Sequence, residues 1–412
     1  MPSSKPTKIT VRTYKVGFGD CFLLSFHYAA SDVRHVLIDF GSNRLPKDAA
    51  KGHMKLIAEQ IKKDCGGKLQ AVVATHRHKD HISGFATNKA GTASGDIIAS
   101  CEPEIVIQPW TEDPDLDTDA VQPDLAAHAH LRSALKEMQA FAASVDSMLP
   151  HYGSLGSAQL RELKFKGSNG LKNLSAVENL MQMGKRKPAY VKSGDKVDLS
   201  KELPGVKVTM LGPPTLSEAG TLAYAASSPE YWLSVKNAWA YLNSSPKREA
   251  PSGMDIPAEA RWFVAAAERA SQEETLGLVR ILDSYLNNTS VILLFEAAGK
   301  RLLFPGDAQL ENWSCALKKS GVSAQLKAVD LYKVGHHGSR NATPKKLWLS
   351  LQKRAKTASA TRLRTILSTM KGVYNDQFEV PRKALVDALK AESTLYDSED
   401  IHGLEDKEPV TV

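Results

Sequence analysis

Several short apolar runs in this sequence stop abruptly at histidine or aspartate, and that pattern constrains the fold more than any other feature. Leu69-Gln70-Ala71-Val72-Val73-Ala74 leads into Thr75-His76-Arg77-His78-Lys79-Asp80-His81. Arg301-Leu302-Leu303-Phe304 leads through Pro305-Gly306 into Asp307, and Ala328 to Val334 leads through Gly335 into His336-His337-Gly338-Ser339. A short apolar run without alternation reads as a strand buried on both faces. Polar groups at the carboxyl end of such strands sit where α/β sheets place their sites. The expectation is an α/β chain with its chemistry gathered at strand tips.

The remaining pattern fits. Ile9 to Leu24 alternates, breaks at Gly17-Phe18-Gly19-Asp20 and resumes, which reads as two strands around a glycine-rich turn. Val33 to Phe40 reads as a strand ending at Asp39-Phe40-Gly41, Met54 to Ile61 as a helix, and Glu104 to Gln108 as a further strand. From about Thr111 to Lys192 the spacing is helical, without clear strands. Strand signals return at Asp195-Lys196-Val197 and at Val206 to Leu211, the latter stopped by Gly212-Pro213-Pro214. A second helical stretch runs from Leu216 to Leu286. Thr289 to Phe295 and Arg301 to Phe304 then read as a strand pair around Ala298-Gly299-Lys300, followed by a helix from Glu311 to Lys319.

Composition narrows the class. Hydrophobic residues at 42% and charged residues at 24% match a globular chain rather than a disordered or membrane-embedded one. No apolar run approaches the roughly 20 residues of a membrane span. The polar start, Met1 to Lys8, is not a secretory signal core, so a cytoplasmic location is expected. Cys21, Cys65, Cys101 and Cys315 form no C-x-x-C pair, which points to reduced, buried thiols and leaves metal ligands to be found among histidine and aspartate. A net charge of +7 suits an anionic partner, nucleic acid included.

Four metal-ligand residues fall within six positions. In an extended segment His76 and His78 project to one side and can grip one cation, while Asp80 and His81 around the next turn can present an oxygen and a nitrogen to a second. Asp307 reads as a turn residue or a ligand. The adjacent His336 and His337 need partners, and a metal ion is a natural one.

These residues resemble the H-x-H-x-D-H signature of the metallo-β-lactamase superfamily, with Asp39, Asp307 and His336 resembling its other motifs in order. Gly17-Phe18-Gly19-Asp20-Cys21, Leu37-Ile38-Asp39-Phe40-Gly41, Asn288-Thr289-Ser290-Val291, Phe304-Pro305-Gly306-Asp307-Ala308 and Lys333-Val334-Gly335-His336-His337-Gly338-Ser339 resemble more closely the soluble metallohydrolase domain of ComEC-type DNA-uptake proteins. The resemblance implies an αββα sandwich with two helical insertions. Residues 1–110 would form its first half, 111–192 an insertion, 193–214 fold strands, 215–286 a second insertion and 287–412 the second half. The insertions are expected to cover the cleft, with Trp232, Trp239 and Trp262 as packing residues.

By the same resemblance His76 and His78 would hold one metal, and Asp80, His81 and one of His336 or His337 a second. Asp307 would bridge the two, and Asp39 would orient the cluster from behind. The implied activity is metal-dependent hydrolysis, foremost of a phosphodiester as in phosphodiesterases and nucleases. Asp80 or Asp307 would take the proton, and Ser339, Arg340, Arg77 or Lys79 would contact a phosphate oxygen. The mixed histidine and carboxylate set suits Zn²⁺, as one or two ions, with Mn²⁺ or Fe²⁺ as alternatives. A carbon-ester, lactone or thioester hydrolase on the same scaffold is the rival enzyme, and a non-catalytic metal- or nucleic-acid-binding module the rival outside enzymes.

Two departures stand out. The family's third histidine for the first metal has no counterpart in a recognisable motif, since His128, His130 and His151 lie in the helical stretch. Near the C-terminus, the segment Leu367 to Asn375 continues to Glu379-Val380-Pro381 where the family has a His-Pro pair.

Overall fold

The computed structural model describes residues 5–113, 174–215, 218, 287–339, 341–373, 380–406 and 408–412. Two compact units divide the chain, and the first, comprising Met1–Leu116, Asn173–Ala219 and Leu286–Val412, carries every described element. The bulk of both expected insertions, with His128, His130, His151 and the three tryptophans named above, lies outside the described residues, as does Arg340.

Two mixed sheets form the centre. In the first, β1 (Lys8–Thr13), β2 (Cys21–Ala29), β3 (Asp32–Phe40), β4 (Ala71–Val73), β5 (Ile105–Pro109) and β6 (Ala189–Val191) lie side by side in chain order, with the C-terminal β13 (Val410–Thr411) on the edge beside β1. The second carries β7 (Lys207–Gly212), β8 (Ile292–Ala297), β9 (Lys300–Phe304), β10 (Leu331–Lys333), β11 (Arg364–Leu367) and β12 (Thr394–Asp397), again in chain order. β1 to β3 pair antiparallel and β3 to β6 parallel. β7 to β9 likewise pair antiparallel and β9 to β12 parallel.

Alternating side chains explain the layering, because successive residues of a strand face opposite sides of its sheet. Phe22, Leu24 and Phe26 of β2 meet Leu293 and Phe295 of β8 and Phe304 of β9 in a core between the sheets. Rings stack across that interface, Phe22 on Phe304 at 5.8 Å and Phe26 on Phe295 at 6.1 Å between centroids. The opposite faces carry Leu23, Leu37 and Val72, which pack on Ile57, Ile61, Ile98 and Leu180 from helices His53–Asp64, Ser94–Ala99 and Leu174–Gln182. On the second sheet Leu294, Leu303 and Tyr332 pack on Trp313, Leu326, Leu347 and Leu389 from helices Leu310–Lys318, Val322–Lys327, Lys345–Ser350 and Lys383–Glu392. Each buried side chain of this size contributes about 1.5–3 kcal/mol. The chain is thus mixed α/β, with helices on the outer faces of two stacked sheets.

Local expectations fail in two places. Asp195-Lys196-Val197 is not a strand, because the Asp195 carboxylate turns back to accept the Lys192 backbone N–H at 2.9 Å and closes a turn. The stretch read as helical to Lys192 instead supplies β6, which extends the parallel run beside β5. No described helix is long and apolar enough to cross a membrane.

Candidate metal centre

The site forms where the strand tips of the two sheets meet. The backbone N–H of Val291, just ahead of β8, donates to the carbonyl of Thr75, just past β4, at 2.9 Å. Close approach explains two glycines. A Cβ on Gly306, whose φ is +56°, would meet the Thr75 side chain at 2.7 Å, and one on Gly41 would meet the His81 backbone nitrogen at 2.4 Å.

Asp39, next to last in β3, has a φ of 55° and accepts hydrogen bonds on both oxygens. Its Oδ1 accepts the Thr75 N–H at 2.7 Å, and its Oδ2 accepts both the Thr75 hydroxyl and His81 Nδ1–H at 2.8 Å. That last bond fixes the His81 ring so that Nε2 faces away from Asp39. Nε2 stands 3.1 Å from Asp307 Oδ2, close enough for one ion to take both atoms as ligands. His337 is fixed in the same manner: Nδ1 donates to the Ser368 carbonyl at 3.0 Å, and Nε2 lies 3.0 Å from Asp80 Oδ2 and 3.8 Å from Asp307 Oδ2.

The result is a group of four buried residues, Asp80, His81, Asp307 and His337, with ligand atoms all within 4.8 Å of one another. Two oxygens and two imidazole nitrogens make a donor set that a divalent ion of the zinc type accepts. Asp80 and His81 come from the short helix Lys79–Ile82 after β4, Asp307 from the turn after β9 and His337 from the turn after β10, the first two more than two hundred residues of chain before the others. The group can hold a metal ion.

Charges in the cluster support one another. Burial pushes Asp80 up, but the bond from His337 and the neighbouring imidazoles outweigh it and hold the carboxyl at about 2. Burial likewise opposes ionisation of Asp307, and His81, His336 and His337 bring it well below the usual carboxylate range. His81 shows the reverse, since burial disfavours its charge while Asp307 and Asp39 raise it well above an ordinary imidazole. His76 is driven well below by burial and by His81 and His78 beside it.

His76 and His78 project to the same side, as their spacing implies, with His76 Nε2 and His78 Nδ1 2.9 Å apart. The His76 ring lies 4.2 Å from that of His81. They adjoin the quartet without belonging to it. Of the paired histidines, His337 enters the quartet, while His336 is a quarter exposed with Nε2 3.9 Å from Asp307 Oδ2. Both take positive φ, 43° and 51°, in the short 3₁₀ turn that ends the run. Left-handed backbone at a non-glycine residue costs on the order of 1–3 kcal/mol and collects at functional sites. Three of the five such residues described in this chain, Asp39, His336 and His337, are here.

Ser339 follows directly, its Oγ buried without a hydrogen-bond partner. Arg77 is held by Glu112 at 3.5 Å, and Lys79 opens the helix Lys79–Ile82. Two participants carry no role in the sequence reading. Asp20, from the glycine-rich turn, is buried 3.6 Å from His337 Nδ1 and 3.8 Å from His81 Nδ1, and it pairs with Lys333 at the end of β10. A lysine inside the apolar run Leu331-Tyr332-Lys333-Val334 was the available signal. Compared with protein-family models and with curated proteins, the chain matches none.

Proposed function

We propose that this chain is a metal-dependent hydrolase with the metallo-β-lactamase αββα architecture, acting on an anionic phosphodiester. The observation that carries this reading is the convergence of Asp80, His81, Asp307 and His337 to within 4.8 Å at the tips of strands from both sheets. Zn²⁺ is the ion that best suits two imidazoles and two carboxylates, ahead of Mn²⁺ and Fe²⁺. Such an ion supplies a Lewis acid that polarises a phosphoryl oxygen and acidifies a water molecule.

The chain's own groups do the rest. Asp39 and the Ser368 carbonyl hold the two imidazoles by Nδ1, leaving each Nε2 for the ion. Asp80 and Asp307, both ionised, are the oxygens that can accept the proton from an attacking water. His336, reached by solvent beside Asp307, can return a proton to the leaving group. A net charge of +7 favours a polyanionic substrate, nucleic acid among them.

The test is metal analysis of the purified protein beside a substrate panel of bis-nitrophenyl phosphate, DNA, RNA, a lactone and a thioester. Bound Zn²⁺ or Mn²⁺ with cleavage of the phosphodiesters is the expected result. Cleavage of the lactone or thioester alone would move the substrate class to carbon esters. Bound metal with no turnover would leave a binding module.

A further inference from the structure

Lys333 is the one lysine or arginine buried among the described residues, with 1% of its surface exposed. Its ammonium pairs with the fully buried Asp20, lies 3.8 Å from Asp307 Oδ1, and donates to the Gly306 carbonyl at 3.4 Å. Three buried carboxylates, Asp20, Asp307 and Asp39, act on its charge. Burying an ammonium costs several kcal/mol unless close opposite charge offsets it. Here that charge is the acidic cluster itself.

We propose that Lys333 is a resident cation of the metal centre: paired with Asp20, it holds the acidic cluster together before an ion arrives and limits how tightly a divalent ion is then held. It is a positioning residue, since its ammonium is buried against Asp20 and Asp307. Without the ion, its charge offsets carboxylate repulsion and keeps Asp307 in place. With the ion, the same charge opposes binding. Removing the lysine alone therefore destabilises the metal-free protein and tightens metal binding, whereas removing Asp20 alone weakens metal binding. Removing both leaves the net charge as it was.

The affinity arm rests on the metal reading given above, and the stability arm does not. Metal-free wild type, Lys333→Met, Asp20→Asn and the double variant are titrated calorimetrically with Zn²⁺ and melted without metal. One unit charge near a divalent ion changes affinity by about tenfold even at the dielectric of water. The expected order runs from Lys333→Met, tightest, through wild type and the double variant, to Asp20→Asn, weakest, in steps of about that size. The metal-free melting temperature is expected to fall in Lys333→Met and to recover in the double variant.

A pair that merely fills space would lower all melting temperatures and leave no charge-ordered affinities, and that outcome overturns the proposal. Should Lys333→Met fail to fold while the double variant folds, charge pairing is upheld; failure of both overturns it. If wild type binds neither Zn²⁺ nor Mn²⁺, the metal reading falls, and the pairing stands or falls on the metal-free melts alone.

Discussion

Apart from the edge strand β13, the two sheets repeat one scheme, three antiparallel strands followed by three parallel ones, and in each the site begins at the end of the third of these strands. The first sheet offers Asp39 there and the second offers Asp307, yet the two aspartates do different work. Asp39 accepts three hydrogen bonds, all from Thr75 and His81, so both of its oxygens are engaged in orienting neighbours. Asp307 accepts the His336 N–H on Oδ1 at 3.1 Å, and its Oδ2 faces three imidazoles at 3.1 to 3.9 Å. A carboxylate with three donors on it chiefly orients its neighbours. One whose Oδ2 faces only imidazoles has more lone-pair capacity to give to a metal.

Replacing Asp307 or His81 with alanine tests the comparison most severely. Each is expected to abolish tight metal binding and reduce turnover to background, as read by elemental analysis and phosphodiester assay. Full metal content in either variant would mean that the quartet is not the site. Between the sheets, Phe26→Ala and Phe295→Ala are each expected to cost about 3–5 kcal/mol in urea unfolding. Because the rings touch, the double variant should cost less than the sum. Strict additivity would break the picture of one shared core. Asp39→Asn, which keeps shape while disturbing the bond to His81, is expected to weaken metal affinity by about 10–100-fold without removing it, the range for a partner behind a ligand. A loss as complete as that of Asp307→Ala would erase the distinction between the two aspartates.

Much of this was legible in the sequence, for a physical reason. Strands buried on both faces are written as unbroken apolar runs, so β4, β8, β9 and β10 and the polar tips that follow three of them stand out. What could not be read depends on geometry that spacing does not encode. The choice between His336 and His337 is made by two positive φ angles in a short turn. Lys333 hides inside an apolar run, and its partner Asp20 lies over three hundred positions away. β6 and β13 lack the longer flanking apolar run that marks the equally short β4 and β10. Asp195-Lys196-Val197 alternates as a strand does, but a single side-chain bond makes it a turn.

The sheets also differ in how acid should affect them. His35 in β3 is 8% exposed, its Nδ1 sharing a hydrogen bond with the Ser25 hydroxyl at 2.9 Å. Burial, then the neighbouring His27, lowers it to about 4, with Asp64 opposing. An unfolded chain protonates this imidazole below its ordinary value near 6.5, while the folded chain resists until about 4. The folded state is therefore penalised as pH falls through that window and keeps its full stability above it. The penalty reaches about 2 kcal/mol at pH 5. His35→Gln, which can keep the bond to Ser25 without titrating, is expected to flatten the stability profile between pH 7 and 5 by that amount. Urea unfolding at stepped pH reads it directly, and an unchanged slope in the variant would place the acid sensitivity elsewhere than in the first sheet's buried histidine.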